Sequence, residues 1–245
     1  MSSDGHPAHQ HPAHEHPPPG RETDQRWLAA VWPFVRDQAP PPPATVVEIG
    51  CGPLGGFVPM LRAAGYEAIG VDTEAPEGDD YHRTGIEDFA PHGAVDLVVA
   101  SRSLHHVADL DDVADRMVGM LAPGGTVIVL EWAWERLDSA TAQWCFDRLP
   151  PADDEPSWMH HHQEMWLESG KAWDAYLTEW AADDGLHPGE AVLAALQVRL
   201  RTASADHGAF YFPSLEGVTE QDELAAIAGG RIQANGIRLV ARVTP

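Results

Sequence analysis

The segment Val46-Val47-Glu48-Ile49-Gly50-Cys51-Gly52-Pro53-Leu54-Gly55-Gly56 gathers residue types that can hold a ligand. A buried run ends in glycines, and helical spacing follows. Gly50 and Gly52 allow a tight turn and a close backbone approach to a ligand. The helix that follows offers unpaired N–H groups at its start. Asp72 closes the next apolar run, and its carboxylate can accept hydrogen bonds from a ribose diol. Other candidates for chemistry stand further on. His105 and His106 follow the apolar run Val95–Ala100. Glu131, Trp132 and Trp134 follow Thr126–Leu130. His160, His161 and His162 are consecutive, and Trp166, Trp173 and Trp180 recur at a fixed interval.

Two ligand classes fit the glycine segment. Gly50, Gly52 and Gly55 match G-x-G-x-x-G, the dinucleotide fingerprint, with an acid at a suitable distance. Glu48 argues against a dinucleotide, because an anion beside a bound pyrophosphate repels it. The same anion suits a ligand that ends in a zwitterionic amino acid, through its ammonium. S-adenosylmethionine has that end, a ribose and no phosphate.

The elements that must position these residues alternate. Residues 1–20 repeat His-Pro-Ala-His with no apolar periodicity, which predicts a disordered tail. Its histidines His6, His9, His11, His14 and His16 lack the fixed geometry of a metal site. Residues 21–43 hold a one-sided apolar helix, interrupted by Pro33, and a stiff proline linker. From Thr45 onward the pattern is strand, helix, strand: Thr45–Ile49, a helical stripe over 56–64, Glu67–Val71, Tyr81–Arg83, Val95–Ala100, a helix capped by Asp109, and Thr126–Leu130. That cadence implies a doubly wound, mostly parallel α/β sheet. A domain is expected over 44–245, carrying a helical insertion at about 150–207 over the C-terminal edge of the sheet, where ligands bind in open α/β sheets. After it, a strand is expected at Gly208–Phe212, a short helix at 219–228 and a final strand at Ile237–Val243.

Composition narrows the partners. There are 15 Lys+Arg against 38 Asp+Glu, a formal net charge of −23, which disfavours non-specific binding to nucleic acid or anionic membrane. Two cysteines, Cys51 and Cys145, cannot make a disulfide framework, so a reducing, cytoplasmic location is expected. No apolar run is long enough to span a membrane.

Four stretches together resemble the class I S-adenosylmethionine-dependent methyltransferases: Val46–Gly56, Val71-Asp72, Val95–Val107 and Leu121–Val129. The resemblance covers roughly 45–130. It implies a Rossmann-like seven-stranded sheet with an antiparallel last strand, S-adenosyl-L-methionine as cofactor, and a small-molecule acceptor. It also implies Glu48, Gly50, Cys51 and Gly52 at the methionine end, Asp72 on the ribose, the Ile86 backbone at the adenine and Ser101 beside the methionine. Two positions depart from the family pattern. Leu54 stands where a third glycine is common, and Gly85 stands where an acid usually precedes the adenine contact.

Methyl transfer is an in-line displacement in which the enzyme mainly positions the acceptor. By the same resemblance His105 and His106 lie near the methyl, His105 as candidate base and His106 as support. Glu131 is a second candidate base, or a capping acid. Trp134, His161, Trp166 and Trp173 are the candidate acceptor-binding residues, although core packing is the default for a tryptophan stripe. No metal site is expected. A nicotinamide-type oxidoreductase, or a non-catalytic protein that binds S-adenosylmethionine or metal, are the alternatives.

Overall fold

Valine and isoleucine dominate the first strand, β1 (Thr45–Ile49), because both of its faces are covered. In the computed structural model, which describes residues 21–152 and 157–243, this strand is the third in a seven-stranded sheet, flanked on both sides. The proposed tail, residues 1–20, lies outside the described residues. The other strands are β2 (Glu67–Asp72), β3 (Tyr81–Arg83), β4 (Val95–Ser101), β5 (Leu121–Trp132), β6 (Arg201–Gly208) and β7 (Gly236–Arg242). They lie in the order β3-β2-β1-β4-β5-β7-β6. The first five are parallel, and β7 runs antiparallel to both β5 and β6. The fold is therefore the Rossmann-like doubly wound sheet with a reversed penultimate strand.

Period-two alternation sorts the strand residues into two cores. Val46, Leu97, Val99, Ile128 and Leu130 face one side, where they meet α1 (Arg21–Gln38) and α2 (Val58–Ala63). Val47, Val98, Val127 and Val129 face the other, against α3 (Leu110–Met120) and α7 (Gly189–Gln197). Asp109 caps α3, its side chain accepting from Asp112 N at 3.0 Å. Pro33 lies inside α1 without dividing it.

The helices over the sheet's C-terminal edge are α4 (Ser139–Phe146), α5 (Trp158–Ser169) and α6 (Trp173–Asp183). This layer starts earlier and ends earlier than 150–207, since α7 returns to the far face of the sheet. Gly170 ends α5 in the left-handed conformation, φ +64°, so the tryptophan stripe is split between two helices. The strand expected at Gly208–Phe212 is instead Arg201–Gly208. It pairs on one side only and is largely exposed, so it lacks the apolar signature that marks a central strand. α8 (Glu220–Ala228) leads into β7.

Candidate active site

At the C-terminal ends of the parallel neighbours β1 and β4 the order of strands in the sheet reverses, and a cavity of about 410 Å³ opens there. Its floor is the glycine turn. Gly50 and Gly52 adopt φ +78° and +62°, a region that favours glycine. A side chain on Gly50 would collide with Ser103, whereas Gly52 has open space before it. Asp72, at the end of β2, lines the cavity and ties the turn down. One carboxylate oxygen accepts from Gly52 N at 2.9 Å and the other from Glu74 N at 2.8 Å. Ser101, ending β4, also lines the cavity.

Glu48 was expected at the ligand's ammonium and lies elsewhere. It is 1% exposed, absent from the cavity wall, and accepts from Phe57 N at 2.7 Å. The start of α2 needs an acceptor for its unpaired N–H groups, and Glu48 supplies it. Burial pushes its carboxyl up to about 8, so it is a neutral acid at pH 7. Gly56, at φ +55°, leaves the room this carboxyl occupies. Cys51 and Ile86 are buried and off the wall, and burial raises the Cys51 thiol.

The second group of residues follows β4 and β5. His105 is buried to 6% exposure yet lines the cavity, and exposed His106 lines it too, the two rings 4.1 Å apart. His105 Nδ1 is 2.5 Å from Glu131 Oε1. Glu131 is fully buried and behind the wall. Its carboxylate also accepts from Ser103 N (3.1 Å), Leu104 N (2.8 Å) and Trp132 N (2.7 Å). Burial alone would raise its pKa, but the charge and hydrogen bond of His105 and the backbone donors hold it below the usual value. An ionised Glu131 accepts only, so His105 donates Nδ1–H to it, and in the neutral form of the ring Nε2 carries the lone pair. Glu131 thus holds the His105 ring and the backbone after β4 and does not line the cavity.

The far wall is aromatic: Trp132, Trp158, Trp180, Phe210 and Tyr211, with His162 among them. Trp132 stacks on Phe210 at 5.9 Å and 9°, and its Nε1 donates to the Tyr211 hydroxyl at 2.8 Å. Buried Glu223 holds the Phe210–Phe212 turn by accepting from all three backbone N–H groups, at 2.8, 3.1 and 2.7 Å. The residues expected on this wall are placed elsewhere. Trp134 donates to His187 O, Trp166 donates to Lys171 O, and Trp173 is core, donating to Leu137 O. His161 is half-buried beside His162 and off the wall. The helical phase decides this: α5 begins at Trp158, so Trp158 and His162 share a face one turn apart. Ser157 caps that start, a residue-type signal from which the phase could have been set.

Thr23, Asp24 and Trp27 of α1 complete the cavity, together with Arg102 just after β4. Arg102 bonds Asp24 through its guanidinium at 2.7 Å and lies 5.3 Å over the Trp27 ring. No period or motif in the sequence marks α1 as part of the site. No cluster of potential metal-ligating side chains exists among the described residues.

Strand order, glycine turn, strand-end acid and a cavity at the switch point define an α/β protein built to hold a nucleoside-type cofactor. A family model described as "Methyltransferase domain" matches residues 21–181, and the chain belongs to that family. Over 97 residues it is 29% identical to a ubiquinone biosynthesis O-methyltransferase of Bradyrhizobium sp. (strain ORS 278), covering 34% of this chain and 38% of that protein. The match thus spans well under half of the relative's length. Two solved structures share the fold. An S-adenosylmethionine dependent methyltransferase from Mesorhizobium loti superposes with TM-score 0.54 at 22% identity, covering 88% of this chain and 99% of the other. A geranyl diphosphate C-methyltransferase from Streptomyces coelicolor A3(2), solved with S-adenosyl-L-homocysteine, gives TM-score 0.55 at 16% identity, covering 90% and 80%.

Proposed function

We propose that this chain transfers a methyl group from S-adenosyl-L-methionine to a hydroxyl of a small organic acceptor. One observation carries the reading: the open glycine turn, Asp72 and His105, which Glu131 holds from behind, share a single cavity. The fit to the cofactor rests on two features of that cavity. Gly52 leaves open space where a side chain would intrude, and Asp72 stands at the strand end with both oxygens already oriented by backbone donors. When bound, the cofactor supplies an electrophilic methyl and a neutral thioether leaving group.

The chain's own residues do the rest. Asp72 accepts from the ribose hydroxyls. Ser101 and the Gly50–Gly52 turn line the methionine side. The wall of Trp132, Trp158, Trp180, Phe210 and Tyr211 excludes water and orients a planar or apolar acceptor. His105 Nε2 takes the proton from the acceptor hydroxyl as the new bond forms on that oxygen, and Glu131 stabilises the imidazolium that results. His106 supports the His105 ring. A net charge of −23 and a cavity of about 410 Å³ favour a small molecule over a nucleic acid. No helix among the described residues is long and apolar enough to cross a membrane, and with two unpaired cysteines we place the chain in the cytoplasm. Family membership favours this reading over the dinucleotide alternative.

Calorimetric titration with S-adenosylhomocysteine tests the cofactor half. Two hydrogen bonds to a charged group, in competition with water, make a loss of roughly 30- to 150-fold the expected result for Asp72→Ala. His105→Gln is expected to bind S-adenosylhomocysteine as wild type does, and to lose about a hundredfold or more in turnover of a hydroxyl acceptor. Binding by Asp72→Ala within about twofold of wild type would overturn the cofactor site.

A further inference from the structure

The amino-acid end of S-adenosylmethionine carries an ammonium and a carboxylate, and the cavity must answer both. Glu48, the obvious partner for the ammonium, is buried under α2 as a neutral acid and does not reach the cavity wall. Among the described residues, the charged groups on that wall are Asp24, Asp72, Glu74 and Arg102. Asp72 and Glu74 belong to the β2 end, on the ribose side. Asp24 and Arg102 remain, and they form one ion pair at 2.7 Å beside Ser101 and Gly50.

That pair has an unusual build. Arg102 sits at φ +52°, the one non-glycine residue with positive φ among the described residues. L side chains rarely adopt this conformation, and its recurrence at ligand sites is a known use of local strain. The Arg102 backbone N–H still donates to Leu130 O at 2.8 Å, so the sheet ladder continues while the side chain joins α1. Its Nε is buried and has no hydrogen-bond partner in the protein. The Arg102 side chain is nevertheless 27% exposed and lines the cavity, and a planar guanidinium suits a carboxylate. Asp24 is 8% exposed, so its charge acts in a medium that screens poorly.

We infer that Asp24 and Arg102 form a clamp for the zwitterionic end of the cofactor, Arg102 taking the carboxylate and Asp24 the ammonium. A zwitterion inserted beside an ion pair makes a four-charge array of alternating sign, so neither protein charge is left unpaired when the ligand enters. The clamp also makes α1 part of the cofactor site: the helix that covers the cavity carries one jaw, and the strand end carries the other. This inference rests on the proposed use of S-adenosylmethionine.

Three ligands separate the parts. S-adenosylmethionine has both charged groups, decarboxylated S-adenosylmethionine keeps the amine alone, and 5′-methylthioadenosine has neither. Each is titrated calorimetrically into wild type, Asp24→Asn and Arg102→Gln. Arg102→Gln is expected to weaken S-adenosylmethionine about ten- to a hundredfold while leaving the other two within about threefold. Asp24→Asn is expected to weaken both amine-bearing ligands by a similar factor and to spare 5′-methylthioadenosine. Equal weakening of all three ligands would mean that the pair only fastens α1, and would overturn the clamp, as would no weakening at all. Wild type offers a check that needs no variant: if it binds S-adenosylmethionine and the decarboxylated form alike, Arg102 holds no carboxylate and the clamp is overturned. If wild type binds none of the three, the cofactor reading itself fails, and the clamp with it.

Discussion

Glu48 and Glu131 are both fully buried carboxyls on the same sheet, yet they titrate in opposite directions. Glu131 gathers three backbone donors and His105, which outweigh its desolvation. Glu48 has backbone donors at the start of α2 and one oxygen without a partner, so desolvation wins and its carboxyl rises to about 8. The sign of the pH effect follows. Between the ordinary value of 4.5 and about 8, the folded chain holds a proton on Glu48 that the unfolded chain has released. Stability from this group is fully present below pH 4.5 and is lost as pH rises through about 8. Glu48→Gln keeps the acceptor for Phe57 N and has no proton to lose. On moving from pH 5 to pH 8.5, wild type is expected to lose on the order of 2–4 kcal/mol relative to this variant in denaturant unfolding. Parallel pH profiles for the two proteins would refute the buried-acid description. Glu131 acts in the other direction, contributing stability that is lost as pH falls.

At the scale of elements, one side chain of α1 ties it to the C-terminal half with four hydrogen bonds. Arg26 donates to the carbonyls of Pro213, Phe212 and Val218 at 2.8–3.0 Å and to that of Leu215 at 3.3 Å. These carbonyls belong to the loop between β6 and α8, whose first residues form the aromatic wall of the cavity. The same guanidinium thus fixes both the lid helix and the turn facing it. Arg26→Leu keeps the apolar stem and removes all four donors. Leaving part-buried carbonyls unsatisfied costs about 2 kcal/mol, or roughly 4–8 °C in melting temperature for a chain of this size. Limited proteolysis within α1 should quicken in parallel. A melting temperature unchanged by the substitution would show that apolar contacts from Trp27, Val31 and Val35 hold α1 unaided.

For the whole molecule, charge is the dominant long-range term. With a formal net charge of −23 and ion pairs such as Arg36–Asp37 and Arg116–Asp112 lying well exposed, repulsion between carboxylates exceeds local attraction. Raising sodium chloride from about 10 mM to about 150 mM shortens the screening length from roughly 30 Å to 8 Å. The melting temperature is expected to rise by a few degrees over that range, and a fall would mean that specific surface pairs outweigh the net field. The described part of the chain holds two apolar cores, one on each face of the sheet, and the cavity lies at the C-terminal edge of the sheet, where α1, α5, α6 and the loop after β6 meet.

The sequence by itself determined what depends on neighbours along the chain. Buried β-strands, the left-handed glycines of Gly50 and Gly52, the Asp109 cap and Asp72 at a strand end are local events, and each was legible from residue type and period. The motif order carried the sheet topology through the family resemblance. Tertiary structure alone decided which side chains meet. Glu48 was assigned to a ligand because the sequence shows its charge and its distance from the glycines, but not the helix start that claims it. Trp173 and Trp180 lie on one helix face, yet Trp173 is core and Trp180 is cavity wall, because position along the helix axis, rather than phase around it, sets what each one meets. Asp24 and Arg102 are 78 residues apart, and no periodicity links them. Their contact exists because α1 crosses the C-terminal edge of the sheet, a long-range packing choice made by Trp27, Val31 and Val35 seeking burial and fixed by Arg26.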